Sequence, residues 1–292
     1  MIVSKRLICI ALLFHAVFSL STVGVLPAGE EAEVVQLAEH IYRITFPYSL
    51  RTNIGLSAGS DGIMLVDTGF EETAEALKRL IQNLEQGDIK YIINTHPHPD
   101  HVGGTWICGQ NATIIDHENL DACLSYGIVF PGNGDMEGRL EELLGTYYSL
   151  NFNGDKIQII PCSGIHSDED LMVYFSLSGV VHMGDLLLTQ SFPAVGAHVK
   201  EYMAFLQKAI DLFPPGTKFI AGHGCDCTLS ELKVYRKMLL TTIEIVCKEM
   251  NEGKNLEQIQ SEKVLKRWES WGEFLPFLNT DTWIESIYKS YY

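Results

Sequence analysis

The chain is short of positive charge. Across 292 residues, 21 Lys and Arg face 37 Asp and Glu, leaving a formal net charge of −16. Such a surface repels phosphate backbones, which argues against nucleic acid as a partner; the simplest consequence of the charge is solubility. No Ser-, Gly- or Pro-rich run and no block of like charge divides the sequence, so nothing marks a linker between two halves. No internal sequence repeat is visible. The seven cysteines include no CxxC pair, which argues against a zinc ribbon. What is abundant is apolar: 46% of residues are hydrophobic, enough for a large core and against disorder.

The N-terminus reads as a targeting segment. Lys5 and Arg6 precede the apolar run LICIALLFHAVFSL at 7–20, and the small residues Thr22, Gly24 and Ala28 follow. This is the pattern of a cleaved secretory signal over residues 1–28, which predicts an exported chain, periplasmic or secreted. The rival reading is an uncleaved anchor, because apolar character continues to Leu26; a membrane contact is expected only in that case. Residues 29–292 read as one domain with a helical C-terminal tail. The six cysteines after residue 28 (Cys108, Cys123, Cys162, Cys225, Cys227 and Cys247) are read mainly as small buried hydrophobes.

Strand-like and helix-like segments alternate. Strands are expected at 40–46, 52–59 and 62–69, a helix at 71–87 and a buried strand at 89–96. Ala74, Leu77, Leu80, Ile81 and Leu84 give that helix its apolar face, acids crowd its first turn and Gly87 closes it. Strands follow at 155–164, 171–179, 180–185 and 218–224. Helices are expected at about 200–213, stopped by Pro214 and Pro215, and at 230–250. Within 117–153 only MEGRLEELLG has a helical pattern. The tail carries Trp268, Trp271, Phe274, Phe277 and Trp283, read as exposed aromatics of a helical region, with capping of the core as the default role and a substrate wall or a dimer contact as the others. Two strand-rich halves with helices between them suggest two sheets packed together and covered by helices.

The string NTHPHPDHVGG at 94–104 sets three histidines and an aspartate within six positions. Imidazole and carboxylate are what zinc and similar cations accept. In an extended chain His96 and His98 share one side, while Asp100 and His101 fall where the chain turns and can face a second metal. The missing ligands have candidates at later strand-to-loop junctions: His166 in SGIHSDED, Asp185 in HMGDLLL and His223 in AGHG. The other histidines (His15, His40, His117, His182 and His198) lack such placement and are read as ordinary.

The ordered set His96-x-His98-x-Asp100-His101, His166, Asp185, His223, together with DGIMLVDTG ending in Asp67, resembles the metallo-β-lactamase-fold hydrolases over roughly residues 34–230. The resemblance implies an α/β fold, a four-layer αβ/βα sandwich of two mixed sheets covered by helices. It implies that His96, His98 and His166 hold one metal, that Asp100, His101 and His223 hold another, and that Asp185 bridges them. Two zinc ions are expected, with iron or manganese as variants. The implied activity is hydrolysis of a small molecule: a metal-bound hydroxide attacks the carbonyl of an ester, lactone, thioester or amide, β-lactams among them. Asp100 is also the candidate for orienting the nucleophile or moving its proton. The alternatives are a mononuclear iron enzyme similar to the persulfide dioxygenases and a non-catalytic metal-binding module. A bridging aspartate at 185 resembles thioesterases and lactonases more than the true lactamases, which place cysteine or serine there.

Around this set, Asp67 and Thr68 are expected to support the metal loop through hydrogen bonds. Asp168, Glu169 and Asp170 are expected as turn residues, one of which can orient a ligand. Phe46, Tyr48 and Arg51 either touch substrate or form a plain connection. Cys225 and Cys227, flanking Asp226, are read as structural.

Overall fold

The computed structural model describes residues 32–84, 87–119 and 147–292. The expected signal segment at 1–28, Cys123 and the helical pattern MEGRLEELLG lie outside the described residues. Among the described residues no helix is long and apolar enough to cross a membrane.

Two six-stranded sheets carry the fold. The first runs β1 (Glu33–Ala38), β2 (Ile41–Thr45), β3 (Asn53–Gly59), β4 (Gly62–Val66), β5 (Ile89–Ile93) and β6 (Thr113–Ile115), in that spatial order. β1 to β4 pair antiparallel, and β4, β5 and β6 pair parallel. Parallel neighbours need a crossover, supplied between β4 and β5 by helix α1 (Ala74–Leu84). The short helices α2 (Pro99–Val102) and α3 (Thr105–Cys108) follow β5.

The second sheet has the order β12-β11-β10-β9-β8-β7. Its strands are β7 (Tyr148–Phe152), β8 (Asp155–Pro161), β9 (Leu171–Phe175), β10 (Val180–His182), β11 (Lys218–Ile220) and β12 (Cys227–Thr228). β7 to β10 pair antiparallel, and β10 pairs parallel with β11 after the crossover helix α4 (Val199–Leu212). Helices α5 (Leu229–Asn251), α6 (Leu256–Ser261) and α7 (Thr280–Tyr291) complete the chain. A reciprocal capping box between Thr228 and Glu231 starts α5, satisfying amides that the first helical turn leaves unpaired.

Period-two alternation assigns each strand face to a different layer. On β4, Ile63 and Leu65 face α1, while Met64 and Val66 face the other sheet. On β9, Met172 and Tyr174 join the helical side, while Leu171, Val173 and Phe175 meet the first sheet. Three apolar layers result: α1 and α3 on the first sheet, sheet on sheet, and α4, α5 and α7 on the second. This is the four-layer αβ/βα sandwich.

Several boundaries differ from the sequence expectation. β4 ends at Val66 and β5 at Ile93, so Asp67 and His96 stand beyond their strands. A 3-10 turn at Glu71–Thr73 precedes α1, so the regular helix starts later than expected. β7 falls within the stretch that showed no strand pattern. Its cue was the Asn153-Gly154 pair, which turns back into β8 with both residues at positive φ, 51° and 75°. The tail also differs: Trp283 is only 1% exposed and sits in the largest apolar cluster, against which Trp268 and Trp271 pack. Phe277 remains exposed. Phe274, Leu275 and Leu278 pack with Leu50, Leu188 and Ala194, so the tail also leans on loops that border the site.

Candidate metal centre

Loops at the same end of both sheets converge on one cluster. From the first sheet, the chain leaving β5 delivers His96 and His98, then Asp100 and His101 from α2, whose Pro at the first helical position follows His98 as N-cap. His96 and His98 thus meet across a loop and a cap rather than along an extended strand. From the second sheet come His166 between β8 and β9, Asp185 on a 3-10 turn after β10, and His223 after β11.

These residues form two groups that could hold a metal ion: His96, His98, His166 and Asp185, and next to it Asp100, His101 and His223. In the first, His98 Nδ1 lies 3.1 Å from His96 Nε2 and 3.1 Å from His166 Nε2. In the second, Asp100 Oδ2 lies 3.2 Å from His223 Nε2 and 3.5 Å from His101 Nε2. Asp185 stands between them with its oxygens divided. Oδ2 is 3.8 Å from His96 and 3.5 Å from His166, whereas Oδ1 is 3.2 Å from His101 and 3.3 Å from His223.

The spacing fits coordination. A tetrahedral cation with Zn–N bonds of about 2.0–2.1 Å sets its ligand atoms about 3.3–3.4 Å apart. His101 Nε2 and Asp185 Oδ1 are both buried, and neither finds a hydrogen-bond partner. Buried polar atoms are rarely left so; two ligand atoms aimed at a common point would be.

The opposite ring nitrogens are tied down. His101 Nδ1 donates to Asp67 Oδ2 at 2.7 Å, His166 Nδ1 to the Ala194 carbonyl at 2.7 Å and His223 Nδ1 to the Leu50 carbonyl at 3.0 Å. His96 Nδ1 meets Thr95 Oγ1 at 3.0 Å, and that hydroxyl donates to Asp67 Oδ2 at 2.8 Å. Each bond selects the tautomer that leaves Nε2 free to coordinate.

Asp67 is wholly buried and has φ +64°, a conformation that Asp tolerates better than most residues. Its carboxylate also accepts the Thr95 amide at 2.7 Å. Thr68 Oγ1 donates to the His101 carbonyl at 3.1 Å. Asp170 accepts the amides of His166 and Ser167 and the Ser167 hydroxyl, so it shapes the loop carrying His166. Glycine is required at two close approaches. A Cβ at Gly222 would overlap Asp185 Oδ1, and one at Gly184, where φ is +50°, would lie 2.6 Å from Thr95 Oγ1.

Burial and the charge of His101 hold His96 at a pKa of about 3, so its imidazole is neutral. Burial opposes a proton on His223, but Asp185 and Asp100 outweigh it and raise that group to about 9. Burial is likewise outweighed at His101, raised well above the ordinary imidazole range by Asp185 and Asp67. The carboxylate of Asp100 is held at about 2, burial being overcome by its hydrogen bond with His223 and the charge of His101. Concentrated negative charge of this kind, facing imidazole nitrogens, attracts a cation.

The neighbours sort less evenly. Phe46 is buried in the first-sheet core and does not line the site. Tyr48 is exposed and packs edge-on against Phe70. Arg51 is exposed at φ +56°, between Leu50, whose carbonyl holds His223, and Thr52, whose hydroxyl donates to Asp100 Oδ2 at 3.1 Å. Cys225 and Cys227 are free thiols whose pKa burial pushes up, so neither is activated. His40, His117 and His198 stay outside the cluster: His40 Nδ1 meets the Ala58 carbonyl, His117 Nε2 meets Ser163, and His198 precedes α4. His15 lies outside the described residues. The string Gly55-Leu56-Ser57-Ala58-Gly59 spells G-x-S-x-G, but it lies within β3, and buried Ser57 faces the side chain of Asn153. A nucleophile elbow needs a strand-to-helix turn, which is absent there.

Sequence reasoning missed Asn53 and Arg43. Both are buried polar residues in strands with long-range hydrogen bonds to the loop of His223. Their signal was weak: Asn is disfavoured within strands, and a buried Arg needs a partner.

The folding pattern and the metal-type cluster define a class, the metallo-β-lactamase fold. The structure resembles a metallo-β-lactamase family protein from Thermus thermophilus with a TM-score of 0.57 at 21% identity, covering 87% of this chain and 93% of that one. Residues 49–107 match the model of the metallo-β-lactamase superfamily. Among curated relatives, metallo-β-lactamase domain-containing protein 1 of Rattus norvegicus is 36% identical over 128 residues, 43% of this chain and 46% of that protein. A probable metallo-hydrolase, YybB, of Bacillus subtilis (strain 168) is 29% identical over 164 residues, 53% of this chain and 72% of that protein. The chain thus spans about half the length of the rat relative. These matches support a place in the metallo-β-lactamase superfamily.

Proposed function

We propose that the chain is a metal-dependent hydrolase with a two-cation centre, and that zinc fills it. One observation carries this reading: the Asp185 carboxylate is divided, Oδ1 toward His101 and His223, Oδ2 toward His96 and His166. His96, His98 and His166 would hold one cation, Asp100, His101 and His223 the other, and Asp185 both. The donor set of five imidazoles and two carboxylates suits zinc. Bound there, the pair would supply an activated water and a polarised carbonyl, serving hydrolysis of an ester, lactone, thioester or amide, β-lactams included. The relative named as a probable metallo-hydrolase supports the same class.

The chain's own residues prepare that chemistry. Asp67 orients His101 directly and His96 through Thr95. Asp100 stays ionised and can accept a proton or orient the attacking water; the Thr52 hydroxyl fixes its Oδ2. His98 is exposed and His166 half-buried, whereas Asp100, His101 and His223 are buried, so substrate is expected to enter on the His98 side.

The test is metal analysis followed by turnover of a generic ester, a lactone and a chromogenic β-lactam. Zinc-loaded protein should contain two ions per chain and turn over at least one of them, and His98→Ala should lose that activity. Activity that survives His98→Ala overturns the hydrolase assignment. One iron per chain with substrate-dependent oxygen consumption would replace it by the dioxygenase alternative.

A further inference from the structure

We infer that Asn53 is the positioning residue of the second ligand group, fixing His223 and, through His182, Asp185; this rests on the two-cation reading above. Asn53 is fully buried at the start of β3, on the first sheet, yet its hydrogen bonds reach across to the second. Its Nδ2 donates to the carbonyls of Ala221 at 2.8 Å and Gly224 at 2.9 Å, the residues that bracket Gly222 and His223. Its amide donates to the Gly222 carbonyl at 2.8 Å. Three bonds from one residue therefore clamp the turn that presents His223.

The backbone carbonyl of Asn53 does a separate job. It accepts from His182 Nε2 at 3.1 Å, and the other ring nitrogen, Nδ1, accepts the Gly184 amide at 3.2 Å. Gly184 immediately precedes Asp185. His182 is thus no ligand; neutral and wholly buried, it connects Asn53 to the turn of the shared carboxylate.

The orientation of the amide is not interchangeable. Arg43 Nη1 lies 3.3 Å from Oδ1, and Thr45 Oγ1 donates to the same oxygen at 2.5 Å. A guanidinium can only donate and the carbonyls of Ala221 and Gly224 can only accept, so Oδ1 must face Arg43 and Nδ2 the loop. Arg43 is itself held by Asp226, through Nε to Oδ2 at 2.9 Å, and by Glu33. Asp226 stands three residues beyond His223, so the clamp closes on the segment it positions. By contrast, the loops of His96, His98 and His166 hang on other groups, namely Asp67, Asp170 and the Ala194 carbonyl.

Asn53→Asp tests this. The carboxylate keeps an acceptor for Arg43 and Thr45 but loses both N–H donors and turns an oxygen toward two carbonyls. Two measurements follow. In metal-free protein with labelled histidine, the ring signals of His223 should shift in Asn53→Asp while those of His98 stay in place. In zinc titrations against a chelator, with cobalt spectra as a second readout, the second cation should bind roughly 10- to 100-fold more weakly, and the first should bind as in the unmodified protein. Thr45→Val, which removes one donor to Oδ1 and an acceptor of Arg43 while keeping both N–H donors of Asn53, should shift both readouts the same way by less, and it carries the test if Asn53→Asp does not fold. Unchanged His223 signals with unchanged second-site affinity, or equal loosening of both cations, would overturn the assignment. If the unmodified protein binds one cation only and His223 still shifts, the two-cation reading fails and the positioning role stands.

Discussion

The two halves of the molecule follow one strand plan and use it differently. β1 to β4 and β7 to β10 are each four antiparallel strands, and each set is followed by a helical crossover, α1 or α4, to a parallel strand, β5 or β11. The first half gathers four of the seven candidate ligands on one short stretch after β5. The second half spreads three over separate loops. The aspartates at the crossovers show the contrast at single-residue scale. Asp67, just after β4, is saturated by Thr95 and His101 and acts as scaffold. Asp185, shortly after β10, keeps Oδ1 without a hydrogen-bond partner and faces four histidines. Similar backbone positions thus give opposite roles, decided by whether the surroundings satisfy the carboxylate.

That contrast can be broken at either aspartate. Asp185→Asn removes the charge both groups share; activity should fall by on the order of 10²- to 10³-fold, with fewer than two metals per chain by elemental analysis. Full activity with two metals would mean that Asp185 is no more a ligand than Asp67. Asp67→Asn should weaken metal affinity by roughly 10- to 100-fold, measured by chelator competition, without removing a ligand. An effect as large as that of Asp185→Asn would erase the distinction between scaffold and ligand.

Metal removal sharpens the comparison through stability. A cation at 100 times its Kd adds about 2.7 kcal/mol, so chelation should lower Tm by roughly 5–10 °C. Hydrogen exchange should loosen most on the loop of half-buried His166, because the 96–101 stretch keeps the support of Asp67 and the 221–224 turn that of Asn53 without a metal. Uniform loosening would contradict that. The smallest effect is expected at Cys225→Ser: the thiol is exposed and free, and activity and metal content should stay within about 2-fold, since inactivated thiols take no part.

The legible and illegible residues differ in kind. His96, His98, Asp100 and His101 were conspicuous because they crowd one short string. His166, Asp185 and His223 were found only as partners for that string, each at a strand-to-loop junction. The continuous apolar run Ile63-Met64-Leu65-Val66 marked β4 as a buried strand, and the structure sends Ile63 and Leu65 to one layer and Met64 and Val66 to the other. β7 was missed although Asn153-Gly154 marks its turn, and of the two readings left open for Phe46, substrate contact or plain connection, its burial in the core rules out the first. Asn53 gave only the weak signal of an Asn within a strand, because a hydrogen bond to a loop far along the chain leaves no periodicity in sequence.

From its sequence alone, this protein has its layers, its surplus of negative charge and its inventory of metal-type side chains, since periodicity and residue chemistry are local properties. Resemblance alone suggested Asp185 as the carboxylate between the two groups, whereas which nitrogen of each imidazole is free and which buried amide bonds the loop of the last histidine were decided only by the tertiary structure. Those choices depend on distances between segments that the chain itself does not connect, and only the packing of one sheet on the other sets them.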